Sequence, residues 1–103
     1  MEFKLNVLER LVVLNVLPKE GSFVTLRVIR GIIEKVGYSP QEISDFEITE
    51  FEGQTQWNTN GNVPKSFELS EVEVDIIRKQ LKKLDGENKL VQEMFSTFEK
   101  FCA

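Results

Sequence analysis

Histidine is missing from all 103 residues, and cysteine occurs once, as Cys102 beside the C-terminus. Histidine titrates nearest neutral pH and is the commonest metal ligand, so its absence excludes Ser-His and Cys-His nucleophile pairs and His-bearing zinc sites. The six glycines are scattered singly, at Gly21, Gly31, Gly37, Gly53, Gly61 and Gly86, which excludes a Gly-rich phosphate loop. The longest unbroken apolar run, Leu11 to Leu14, is far too short to cross a bilayer, and no membrane partner is expected. Glu9, Arg10 and Asn15 interrupt the apolar residues before Pro18, so the N-terminal segment lacks a secretory pattern. A lone cysteine forms no internal disulfide, which fits a reducing, cytoplasmic setting. These absences count against an enzyme, and neither cofactor nor metal is expected.

What is present suits one small globular domain spanning residues 1–103. Apolar residues make up 41% and charged residues 29%, a balance that excludes a disordered chain. Phenylalanine is over-used, with eight copies against one Trp and one Tyr, and large rings help a small core reach stability. The net charge of −4 is unevenly spread: residues 1–35 carry +2, residues 36–64 carry −5, and residues 65–103 carry −1. The middle owes its charge to Glu42, Asp45, Glu47, Glu50 and Glu52, with no base among them. Such a segment disfavours generic phosphate binding.

Capping signals divide the chain. Asn6 and Glu9 form a capping box that opens a first helix, apolar nearly all round and therefore central in the core, which Pro18 ends. Ser22 caps a second helix with a stripe of Phe23, Leu26, Ile29, Ile33 and Val36, and Gly37 stands where a left-handed terminal residue belongs. Gly31 inside that helix implies close approach of another helix. Ser39-Pro40-Gln41-Glu42 opens a brief third helix. Residues 46–58 read as a β-hairpin turning at Glu52-Gly53, and Lys65 to Leu69 as a third short strand with Phe67 and Leu69 inward. Ser70 and Glu73 cap a helix striped by Val74, Ile77, Leu81 and Leu84, with Asp85-Gly86 as its stop. A last helix carries Met94, Phe95, Phe98 and Phe101, read as core. The expected architecture is α+β: a helical hairpin plus two C-terminal helices packed with a small antiparallel β-hairpin or sheet.

Two constellations invite a functional reading. Trp57 lies among Gln54, Gln56, Asn58, Asn60 and Asn62, the composition of a protein contact surface, and Glu47, Glu50 and Glu52 adjoin it in sequence. The bland alternatives are a Trp folded over the first helix and acids on a solvated face. Arg78, Lys79, Lys82 and Lys83 cluster on the fourth helix, and a nearby hairpin invites comparison with winged-helix DNA readers. Against that, Glu71, Glu73 and Asp75 at the helix start and bases in its later turns simply complement the helix dipole.

The stretch from Leu14 to Leu26 followed by Arg30, the pair Trp57-Asn58, and the run Phe95 to Phe101 resemble small proteins of uncharacterised role encoded by tailed bacteriophages and prophages. The resemblance touches both ends of the chain, spans about half of it, and does not reach Tyr38 to Gly53. It implies a phage protein acting in an infected bacterial cytoplasm and brings no active site with it. The expected function is non-enzymatic binding of another protein, as a virion accessory component or a small regulator of a host process. A homo-oligomer is compatible with so Phe-rich a chain. The alternative is a DNA-associated regulator using the Arg78 to Lys83 face.

Overall fold

The computed structural model describes residues 1–103 and has an α+β architecture. The order is β1 (Glu2–Leu5), α1 (Val7–Val16), α2 (Phe23–Val36), α3 (Pro40–Asp45), β2 (Thr49–Phe51), β3 (Gln54–Gln56), β4 (Lys65–Glu68), α4 (Glu71–Gly86) and α5 (Phe95–Cys102). Short 3-10 turns occupy Thr59–Asn62 and Gln92–Met94.

The expected caps are in place. Asn6, Ser39 and Ser70 each accept from the third amide of their helix, and Glu9, Glu42 and Glu73 return the bond. Ser22 caps α2 through the Thr25 amide. Each cap satisfies donors that a helix start leaves without partners, which is why four starts were readable beforehand. The helix ends were read less well. Gly37 is extended at φ −64° and ψ 158°, not left-handed, and a Cβ there would lie 2.5 Å from the Ile33 carbonyl oxygen. Helix α4 runs through Asp85-Gly86, and the left-handed residue beyond it is Asn88 at φ 56°.

The strand reading needs one correction. β2 and β3 pair as expected, Glu50 opposite Thr55, around a Glu52-Gly53 turn with φ of 51° and 78°. Positive φ at both positions is the two-residue turn that matches strand twist. β4 does not join this hairpin. It pairs antiparallel with β1, Phe3 opposite Phe67, so the first strand lies in a segment that gave no strand signal. Phe67 and Leu69 do point inward.

One apolar cluster unites β1, α1, α2, β4, α4 and α5, from Leu5 and Val13 through Ile32, Leu69 and Ile77 to Phe101. Helix α1 is central, touching β1, α2, α4, α5 and both 3-10 turns. The Phe3 ring stacks on Phe101 at 4.3 Å between centroids. Gly31 faces α4, where a Cβ would sit 3.2 Å from Glu73 Oε2, so the close helix approach is real.

The stripe expected on α2 is wrong at three of its five positions. Ile29, Ile32 and Val36 are buried, whereas Phe23, Leu26 and Ile33 are exposed. At about 100° per residue, steps of three drift backwards by about 60° each, so a chain of such steps leaves the core face. Phe23 stands about 180° round the helix from Ile32 on the same arithmetic. The stripe on α5 is likewise divided: Phe101 is core, Phe98 is half-buried and Phe95 is exposed.

Candidate interaction surface

Trp57 follows β3 and folds back on the Thr59–Asn62 turn. A Cβ on Gly61 would meet Trp57 Cδ1 and Val7 Cγ2, each at 2.8 Å, so only glycine lets the indole, the turn and α1 close together. The indole Nε1–H donates to Asn62 Oδ1 at 3.1 Å, and the residue is half-buried. Trp57 therefore holds a turn as well as offering an edge to solvent. The acids beside it in sequence separate in space. Glu47 accepts from Asn58 Nδ2 at 3.1 Å and sits at φ 51°, Glu52 occupies the hairpin tip, and Glu50 is exposed on β2. Glu50 borders a groove with Leu11, Tyr38, Ile43 and Ile48, from which Trp57 is absent.

Glu42, from the same acidic run, has a different fate. Its carboxylate accepts from Arg10 Nη1 at 2.7 Å and Nη2 at 2.9 Å. Arg10 is 2% exposed; its Nε–H donates to the Val36 carbonyl at 2.9 Å and Nη2 to the Gly37 carbonyl at 2.8 Å, closing the end of α2. The guanidinium lies between the rings of Tyr38 and Phe67, 4.7 and 4.9 Å from their centroids. The Arg10 hydrogen bonds hold the Glu42 carboxyl at about 2, against the opposing effect of burial. Burial pushes the Tyr38 phenol up to about 12, with Arg10 opposing. Glu9 is buried too and accepts from Lys100 Nζ at 2.7 Å. Both charges were read as interruptions of an apolar helix. An acidic middle with no base of its own was the available signal that cations must arrive from elsewhere.

The basic cluster on α4 also divides. The Arg78 guanidinium donates to the Phe101 carbonyl and so closes α5, while Lys79 pairs with Asp75 at 3.0 Å. Lys82 and Lys83 remain exposed without an ion pair. Helix α4 makes its main contacts with α5, α2 and α1. Beside this cluster burial pushes the Cys102 thiol up, although Lys82 and Arg78 oppose it, which keeps it protonated near neutral pH.

The most conspicuous surface was not read from the sequence as a surface at all. The outer face of α2 presents Phe23 at 76%, Val24 at 67% and Leu26 at 41% exposure. Phe23 and Leu26 line a groove whose other walls are Arg27 and Arg30. The Arg27 guanidinium stands 5.9 Å from the Phe23 ring. A second depression continues from Val24 and Val28 across Gly31 to Val72 at the start of α4, rimmed by Arg27 and by the Lys35–Glu73 ion pair at 2.6 Å. Apolar residues at adjacent helix positions, bordered by arginines, are the composition of a protein contact.

No helix is long and apolar enough to cross a membrane. No group of three or more acids or cysteines converges as a metal ligand set. Comparison with protein-family models, with curated proteins and with solved structures yields no match to this chain.

Proposed function

We propose that this protein acts without catalysis, by binding another protein through the outer face of α2, and that it does so as a small phage-encoded component in the bacterial cytoplasm. The phage setting rests on the resemblance of Leu14–Leu26, Trp57-Asn58 and Phe95–Phe101 and on nothing else. The binding role rests chiefly on Phe23, which is 76% exposed at the first position of a well-capped helix. Burying one such side chain stabilises a complex by about 1.5–3 kcal/mol, and its exposure in a lone molecule brings no return in stability. Arg27 and Arg30 select a partner surface that carries carboxylates, because an unpaired guanidinium in a closed contact is costly.

The test compares capture of partners, from host extract and from a differently tagged copy of the chain, by the wild type and by a Phe23→Ser, Leu26→Ser variant. The variant is expected to lose its partner while its melting temperature stays within a few degrees, since neither side chain is buried. A second variant, Glu50→Lys with Glu52→Lys, leaves capture intact on this reading. Loss of capture only in that second variant transfers the binding role to the hairpin.

A further inference from the structure

A second apolar patch lies between the end of α4 and the start of α5. Leu90, Val91, Phe95 and Phe98 line a groove whose only charged walls are Asp85 and Glu99. Phe95 is 61% exposed and Val91 52%. Asn88, at φ 56°, turns the chain out of α4, and neither the Gln92–Met94 turn nor α5 has a side-chain cap. The exposed apolar residues are therefore displayed on a segment anchored from its other side, where Met94, Phe98 and Phe101 pack on the core. The α2 groove is apolar with arginines as its only charged walls; this one is apolar with carboxylates.

We propose that the occupant of the α2 groove is a second copy of this chain, which inserts Val91 and Phe95 beside Phe23 and Leu26 and sets Asp85 and Glu99 against Arg27 and Arg30. This rests on the binding role assigned to α2 above. Position makes the pairing intermolecular. Val72, at the start of α4, belongs to the depression that continues the α2 groove, and Asp85 lies thirteen residues later at the other end of that helix. At about 1.5 Å per residue Val72 and Asp85 are about 20 Å apart, and α2, α4 and α5 are fixed in one core, so one molecule cannot close its two patches on each other.

Charge decides which faces meet. Contact of α2 groove on α2 groove would set four arginines together, and contact of the other patch on itself would gather four carboxylates. Both juxtapositions are repulsive, whereas contact of one kind of groove on the other pairs every charge with its opposite. Made reciprocally, that contact closes a two-chain dimer; made head to tail, it leaves one groove of each kind free and copies add into a ring or an open row. Few large side chains take part, so assembly is expected to depend on concentration and to weaken as salt screens the pairs.

The test is sedimentation velocity on the full chain across a concentration series up to about 1 mM, a range in which weak contacts populate. The wild-type mass is expected to rise with concentration to that of two chains or more, two for reciprocal contact and beyond two for head-to-tail contact. Phe23→Ser and Phe95→Ser, both at exposed positions, are each expected to stay monomeric with unchanged circular dichroism. An equimolar mixture of the two variants retains one intact groove of each kind and is expected to form a two-chain complex that grows no further. A wild type that stays monomeric throughout overturns self-assembly; if Phe23→Ser then still loses capture of another protein, the α2 binding role survives alone. Assembly that persists in Phe23→Ser, or a mixture that stays monomeric, also overturns the contact between the two grooves.

Discussion

Replacing Arg10 by methionine tests whether the fold is locked by a buried charge. Methionine keeps an unbranched apolar stem as far as the position of Nε, but lacks the guanidinium that lies by the Tyr38 and Phe67 rings and with it every donor. The Glu42 carboxylate, 14% exposed, is then left without its bidentate partner, and the carbonyls of Val36 and Gly37 lose theirs. Breaking a buried pair from one side costs about 3–5 kcal/mol, and the Glu42 charge that remains keeps only the Ser39 amide at 3.0 Å and Lys65 Nζ at 3.5 Å. Against a total stability of about 5–15 kcal/mol, that is about a fifth or more of the whole. At about 5 °C per kcal/mol for a chain of this size, the melting temperature is expected to fall by about 15–25 °C. The double variant Arg10→Met, Glu42→Gln removes the orphaned charge while glutamine still serves the capping box, so it is expected to recover several degrees. Acid titration reads the same interaction independently. Glu42 titrates at about 2 when folded against an ordinary 4.5, chiefly because of Arg10. A depressed folded value means stability that is complete above about pH 4.5 and lost as pH falls towards 2, amounting to about 3 kcal/mol at about 1.36 kcal/mol per unit. The melting-temperature gap between wild type and Glu42→Gln is thus expected to be constant above pH 5 and to close below 4.5. A drop under about 5 °C for Arg10→Met, or a gap indifferent to pH, refutes the lock.

Gly61→Ala is expected to destabilise by about 1–3 kcal/mol and to shift Trp57 fluorescence, since the new methyl meets Trp57 and Val7 at 2.8 Å; unchanged emission would separate Trp57 from the turn. Glu52→Asn is expected to raise stability by about 0.5 kcal/mol or more, because asparagine-glycine suits two positive φ angles better than glutamate-glycine; thermal melts that show a loss contradict the turn assignment. Duplex DNA is expected to show no retardation in gel-shift titration at low salt, because Arg78 and Lys79 are engaged within the chain. Retardation that weakens steeply with salt and vanishes in Lys82→Gln, Lys83→Gln would restore the nucleic-acid reading.

The elements most legible beforehand were those whose signals are local. Asn6 with Glu9, Ser39 with Pro40 and Glu42, and Ser70 with Glu73 each complete their hydrogen bonds within one turn of helix, so adjacent residues suffice to specify them. Glu52-Gly53 marks its hairpin for the same reason. β1 was missed because Glu2 to Leu5 becomes a strand only through β4, more than sixty residues later. The surfaces were missed for a related reason. Phe23 and Phe95 are apolar at helical spacing, and spacing says that a face exists without saying what covers it.

The amino-acid order by itself determined where the helices start, where the central hairpin turns, that α1 is central, and that the domain is α+β, because each depends on contacts between near neighbours or on the total of apolar residues. Only the tertiary structure decided that Arg10 and Glu9 are interior charges, that β1 and β4 pair, and that an apolar groove walled by arginines opens on α2 while another walled by carboxylates opens between α4 and α5. Those outcomes depend on which distant segments meet. A guanidinium is stable inside a protein only when Glu42, Val36 and Gly37 converge on it from elsewhere in the chain.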